Sequence, residues 1–149
     1  MLLKTAHFGV VEYDESKKFI FPDGLPGLPE DTEFALLSHE QSEPIVWLQS
    51  MINPEIALPV LNPFLVCPTY SFDITDSDVE LLKIDDIQDV FIINVVVIPQ
   101  DPNAMTINLA APIIVNTKNN HGRQIFLNDK AYHVRTRISD LLDEMNSGE

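Results

Sequence analysis

Val90-Phe91-Ile92-Ile93-Asn94-Val95-Val96-Val97-Ile98 is apolar on both faces and rich in β-branched residues, the pattern of a central strand covered on both sides. Asn94 interrupts it. A buried amide left unpaired costs about 1–3 kcal/mol, so Asn94 is expected to bridge to a neighbouring strand or loop. The next segment alternates, with Met105, Ile107, Leu109 and Ala111 on one face and Thr106, Asn108 and Ala110 on the other, as in a strand with one buried face. Pro112 removes a backbone donor and marks a bulge, an edge or a strand start before Ile113 to Val115 resume the β pattern. Arg123 to Leu127 and Ala131 to Val134 read as the last strands, joined by a hairpin turn at Asn128-Asp129-Lys130.

Prolines 22, 26, 29, 44, 54, 59, 63 and 68 punctuate the first half and leave no room for a long helix, since each breaks backbone pairing and restricts its predecessor. Short strands fit between them at Phe19 to Phe21, Phe34 to Leu37, Ile45 to Gln49 and Phe64 to Val66. One helix is predicted from about Asp76 to Ile84, with Thr75 or Asp76 as N-cap and Asp78 and Glu80 at the positive end of its dipole. A second is predicted where Ile138, Leu141, Leu142 and Met145 fall at helical spacing, with Asn146 to Glu149 fraying. The pattern predicts a mainly β fold in a single domain over residues 1–149, with short strands closing into a barrel-like or sandwiched sheet and short peripheral helices.

Composition changes this picture little: 149 residues with 45% apolar and 21% charged content suit one core burying roughly 68–70% of the unfolded surface. Charge changes it more. A net charge of −14 repels phosphate backbones and attracts cationic partners, which disfavours direct nucleic-acid binding. Cys67 stands alone, so no internal disulfide is expected, and its apolar setting, Phe64-Leu65-Val66-Cys67-Pro68, suits a buried, inert thiol. Lys4, His7 and Glu12 interrupt the apolar core that a signal peptide needs, and no run approaches the ~20 apolar residues of a membrane span. The expectation is a cytoplasmic protein that does not bind membranes.

Catalytic and cofactor patterns are weak. No Gly-x-Ser-x-Gly elbow occurs, and histidines 7, 39, 121 and 133 lie far apart in sequence. Gly24-Leu25-Pro26-Gly27 lacks the third glycine of a dinucleotide loop and the Gly-Lys-Ser/Thr of a phosphate loop, and reads as a rigid double turn. An EF-hand register beginning at Asp76 puts Leu81 where glycine is required and Ile87 where glutamate belongs. No cofactor, metal or catalytic residue is predicted.

Between Asp73 and Asp89 stand Asp73, Asp76, Asp78, Glu80, Asp85, Asp86 and Asp89 against Lys83, a local net of −6. Such a cluster serves as a solvated face or as a contact for a basic protein, where carboxylates raise encounter rates and bond arginine. Residues 118 to 137 carry Lys118, Arg123, Lys130, Arg135 and Arg137 against Asp129, a contrast that would let two partners of different charge meet different surfaces. The alternative is a small acidic β-barrel enzyme or ligand-binding protein using carboxylates of residues 73–89, which would need a deep pocket.

Four fragments fall in order along one family's pattern. They are Phe21-Pro22-Asp23-Gly24-Leu25-Pro26-Gly27-Leu28; Trp47-Leu48-Gln49-Ser50 after Pro44; Thr106 to Asn116 with its internal Asn108 and Pro112; and Gly122-Arg123-Gln124 followed by Tyr132. Together they resemble FliW, the flagellar assembly factor of bacteria, with Leu28 where the turn more often carries phenylalanine. The resemblance implies a compact antiparallel β-barrel-like domain without enzymatic activity. It also implies two protein partners, flagellin and the RNA-binding translational repressor CsrA, which the family antagonises to relieve repression of flagellin translation. On that basis the acidic residues named above are the candidate partner surface, and the polar face around Asn108, Asn116 and Gln124 is the alternative.

Overall fold

The computed structural model describes residues 1–147. Strands β1 (Leu2–Thr5) and β2 (Gly9–Glu12) pair as a separate hairpin. Strands β3 (Lys18–Ile20), β4 (Glu33–Ser38), β5 (Val46–Ser50), β6 (Ala57–Leu61) and β7 (Val90–Val97) follow as an antiparallel meander. Helix α1 (Asp76–Leu82) lies in the β6–β7 connection. Strands β8 (Thr106–Ile107), β9 (Ile113–Asn116), β10 (His121–Gln124) and β11 (Thr136–Arg137) and helix α2 (Ile138–Ser147) complete the order.

The meander closes on itself. β9 pairs antiparallel with β10, β10 meets β3 in a parallel bridge between His121 and Ile20, and β9 also takes the first half of β7. Among the described residues, β7-β6-β5-β4-β3-β10-β9 is thus a closed barrel of seven strands, with β8 and β11 continuing from the second half of β7. The mainly β fold with short peripheral helices is as the hydrophobic pattern predicted, and the closed ring decides for the barrel that the family resemblance implied over a sandwich. Closure matters because it leaves no ladder edge in the ring open to another chain.

Strand alternation distributes the apolar residues over three clusters. Phe19, Phe21, Phe34, Leu48, Val60, Ile93, Ile113 and Val115 fill the barrel. On the outer face of β9, Ile114 packs with Leu82, Ile84 and Ile125 beneath α1, while Val96, Ile107, Leu109, Leu61 and Tyr70 pack with Leu141 of α2. This two-sided burial explains why β7 and β9 read as continuous apolar runs.

Several predicted elements are corrected. Phe64 to Val66 is not a strand: Pro63–Leu65 forms a 3-10 turn, because Asn62 caps it by accepting the Phe64 N–H and proline sits at its first position. In the alternating segment 105–111, half-buried and buried positions alternate from Thr106 to Ala111 while Met105 is half-buried like Thr106, and only Thr106–Ile107 is strand. Beyond it the Asn108 Oδ1 accepts the Ala110 N–H and the Leu109 N–H goes to the His133 carbonyl, so side-chain and loop partners replace a ladder. Arg123 to Leu127 shifts to His121–Gln124, and Ala131 to Val134 is not a strand. At Asn128-Asp129-Lys130, Asp129 accepts the Ala131 N–H in a local turn, and no hairpin forms. Helix α2 extends through Ser147, so Asn146 is helical rather than frayed, while residues 148–149 lie outside the described ones.

The N-terminal hairpin and β6 were not anticipated. β6 contains Pro59, which argues against a strand, yet β7 pairs with β6 only at Val60 and Leu61, so the missing donor precedes that paired stretch.

Candidate functional site

Helix α1 forms where Thr75 supplies the cap predicted for it. The Thr75 hydroxyl accepts the Asp78 N–H at 3.2 Å and donates to the Asp78 carboxylate at 2.8 Å. At the other end Lys83 adopts the left-handed conformation (φ 55°), and the Ile84 N–H reaches back to the Val79 carbonyl, a closing turn of Schellman type. The helix lies on the outer face of β9 and β10 by burying Leu82 against Ile114 and Ile125.

This packing divides the predicted acidic face in two. Asp78 is 6% exposed and accepts a hydrogen bond from Arg123 Nη1 of β10 at 2.8 Å, which makes it a clamp between helix and barrel. Asp89 is half-buried and lies 3.5 Å from Lys118 Nζ. By contrast Asp73, Asp76, Glu80, Asp85 and Asp86 are exposed, and among the described residues none of them takes part in a salt bridge. The charge contrast expected between residues 73–89 and 118–137 is therefore reduced, because Lys118 and Arg123 from the basic stretch neutralise Asp89 and Asp78 of the acidic one. Lys130, Arg135 and Arg137 remain exposed. Beside Glu80, a shallow hollow of ≈ 360 Å³ lined by Asp23, Ser77, Leu81 and Arg123 opens to solvent.

The alternative polar face does not come together as one surface. Asn116 is 2% exposed; its Nδ2 donates to the carbonyls of Leu82 (2.9 Å) and Lys83 (3.1 Å), and its Oδ1 accepts the Lys118 N–H (3.1 Å). It caps the carbonyl end of α1. Gln124 is half-buried and donates to the Ala111 carbonyl at 3.0 Å. Asn108 is half-buried on the β8–β9 loop, where its carbonyl accepts Asn94 Nδ2 at 2.8 Å.

The signature fragments turn out to hold the barrel's turns. Gly24 (φ 70°) and Gly27 (φ 80°) form the expected double turn, with Leu25 and Leu28 exchanging backbone hydrogen bonds around Pro26. In the second fragment Leu48 enters the core, the Ser50 hydroxyl donates to buried Asp31 at 2.6 Å, and Gln49 Nε2 donates to the Ser50 and Pro54 carbonyls. Trp47 is half-buried and donates to the Ser42 hydroxyl.

Asn94 is fully buried and bridges as predicted, donating to the Asn108 carbonyl and to the Tyr70 hydroxyl; its Oδ1 has no partner among the described residues. Tyr70 in turn donates to the Leu109 carbonyl at 2.6 Å and stacks edge-on with Tyr132. Burial pushes the Tyr70 phenol up to about 12, opposed by the Asn94 hydrogen bond. Cys67 is half-buried rather than buried.

One surface was not anticipated. Leu65, Ile98 and Leu142, all at least two-fifths exposed, border a groove of ≈ 590 Å³ between the 41–44 turn and α2. The periodicity of α2 held a partial signal, since of Ile138, Leu141, Leu142 and Met145 only Leu141 is buried.

Comparison with known proteins agrees with this architecture. The family model described as FliW protein matches residues 2–138. The flagellar assembly factor FliW of Alkaliphilus metalliredigens is 36% identical over 146 residues, covering 97% of this chain and 90% of the relative. The protein of that name from Caldanaerobacter subterraneus is 38% identical over 143 residues, 95% of each chain. The one from Bacillus subtilis is 36% identical over 138 residues, 93% of this chain and 96% of the relative. A crystal structure of the flagellar assembly factor FliW superposes with a TM-score of 0.85 at 31% identity, covering 93% of this chain and 96% of the other.

Proposed function

The chain belongs to the FliW family of flagellar assembly factors, and from that premise we propose that it binds both flagellin and a CsrA-type RNA-binding translational repressor, and that competition between them regulates flagellin translation. When free flagellin is abundant it occupies the protein and leaves the repressor active; when flagellin is exported, the freed protein captures the repressor and translation resumes. The proposed setting is the cytoplasm, where both partners are made. No helix among the described residues is long and apolar enough to cross a membrane.

The observation that carries the repressor half of this reading is the set of exposed carboxylates on α1 and its flanks that, among the described residues, lie outside any salt bridge: Asp73, Asp76, Glu80, Asp85 and Asp86. An RNA-binding protein needs positive charge to hold phosphates, and an acidic surface meets that charge directly. Asp78 and Asn116 enter the reading differently from the exposed acids: they fix the helix that carries the face. The enzyme alternative is less well supported, because Asp78 is tied to Arg123 and the hollow beside Glu80 is shallow.

The test is isothermal titration of the purified protein with the cognate CsrA, with and without saturating cognate flagellin. Repressor binding abolished by flagellin is the expected result. Binding to flagellin alone would reduce the protein to a chaperone, and binding to neither would overturn the reading. Replacing Asp76, Glu80, Asp85 and Asp86 by lysine should slow repressor association and flatten its dependence on salt, because long-range steering by these charges would be gone. Unchanged kinetics would move that interface off the acidic face.

A further inference from the structure

The groove beside α2 is a feature that the partner-switch reading does not use. Its floor is Ile45, Leu61 and Val66, one wall is the 41–44 turn, the other is Ile138 and Leu142 of α2, and Leu65, Ile98 and Met105 complete it. Leu65 is 50% exposed, Ile98 43% and Leu142 41%, so large apolar side chains stand in water around a recess of ≈ 590 Å³. Contiguous exposed apolar surface of this kind marks an interaction site.

The polar groups nearby select the occupant. In the 41–44 wall, the Ser42 and Glu43 N–H groups both bond the His39 carbonyl, the Ile45 N–H bonds the Ser42 carbonyl, and the Ser42 hydroxyl bonds the His39 and Ile45 carbonyls. Little backbone is left on that wall to pair with an added strand. An occupant must therefore bring its own hydrogen bonds already satisfied, as an α-helix does, and offer apolar side chains at i, i+3 or i+4, and i+7. Charge narrows it further. Among the described residues Glu43 is the charged one lining the groove and no Lys or Arg lines it, and the chain carries −14 overall. A second copy would bring the same acidic surface and be repelled.

We propose that this groove docks an amphipathic helix of a partner protein whose apolar face is flanked by lysine or arginine. The site is separate from the acidic face around α1, and the inference stands independently of the identity of the partners proposed above.

The test uses the full chain and three synthetic peptides of about 18 residues, roughly five helical turns: a leucine–lysine amphipathic helix, the same composition with the leucines scattered around the helix, and a leucine–glutamate version of the first. Affinities are measured by titration for the native protein, for Leu65→Ser with Leu142→Ser, and for Leu2→Ser with Val10→Ser on the N-terminal hairpin as an exposed apolar control elsewhere. Circular dichroism verifies folding; all four side chains are exposed. The ordered basic peptide should bind the native protein at least about tenfold more tightly than either other peptide. The Leu65/Leu142 variant should lose that preference and the control should keep it. Equal binding of the ordered and scattered peptides would show attraction to net charge alone and overturn the proposal, as would unchanged binding by the Leu65/Leu142 variant. Sedimentation showing a dimer that this variant abolishes would also overturn it, by assigning the groove to a second copy.

Discussion

Asn116 is the position at which a partner-binding role and a structural role predict different outcomes. In Asn116→Ala, the Lys83 carbonyl loses the Nδ2 donor at 3.1 Å, the Lys118 N–H loses its Oδ1 acceptor, and Leu82 keeps only the Asn119 amide at 3.1 Å. Each of the three hydrogen bonds made by the Asn116 side chain contributes about 0.5–1.5 kcal/mol net, so the variant should lose about 2–4 kcal/mol. For a chain of this size that lowers the melting temperature by roughly 5–12 °C. Asn116→Asp should be worse, since it points a carboxylate oxygen at two carbonyls in a position 2% exposed. The assay is urea denaturation of the three proteins monitored by tryptophan fluorescence, followed by partner titration at a temperature where all remain folded. Partner affinity should be unchanged in the folded Ala variant. A loss of stability below about 0.5 kcal/mol, or an Asp variant as stable as the native protein, would refute the capping argument.

Arg123→Met should destabilise by about 2–4 kcal/mol by leaving the Asp78 carboxylate buried with the Thr75 hydroxyl as its remaining partner; adding Asp78→Asn should recover much of that, read from a double-mutant cycle in urea. Gly24→Ala should cost more than about 2 kcal/mol, because φ of 70° disfavours a side chain and the added Cβ would press on the Leu28 carbonyl and on Pro29; a melting temperature within a degree of native would contradict this. The Tyr70 phenol, raised from 10.0 to about 12 by burial, gives stability that is fully present below pH 10 and lost between 10 and 12, where the unfolded chain ionises first. At most about 2–3 kcal/mol is involved. Urea midpoints across that window should fall more steeply for the native protein than for Tyr70→Phe, and parallel slopes would exclude the effect.

The strands that sequence reveals here are those whose environment is uniform along their length. β7 and β9 are covered on both faces over most of their length, so all their positions but Asn94 and Asn116 are apolar and the run is visible without knowing its neighbours. Thr75 and the acids after it likewise specify the start of α1 locally, through one hydroxyl and the helix dipole. Gly24, Pro26 and Gly27 declare a turn because few other residues adopt its backbone. Where the backbone takes its hydrogen bonds from distant side chains, the local pattern misleads. Met105 to Ala111 alternates like a strand, yet from Asn108 onward its donors go to the Val95 carbonyl, an asparagine side chain and the His133 carbonyl.

The short-strand β class, both helices, the net acidity and the turn chemistry are legible in the chain alone, because they follow from periodicity, composition and dihedral preference within a few residues. The return of β9 to β7 that closes the ring is a matter of tertiary packing, since that pairing joins residues as far apart as Val90 and Asn116 and rests on register. Closure also decided the fate of the charged and polar candidates. It brought Arg123 to Asp78 across 45 positions and Asn116 to Leu82 across 34, turning two surface candidates into the clasps of α1, and left Asp73, Asp76, Glu80, Asp85 and Asp86 facing solvent. Burial depends on which elements pack together, and a linear pattern of carboxylates carries no record of that choice.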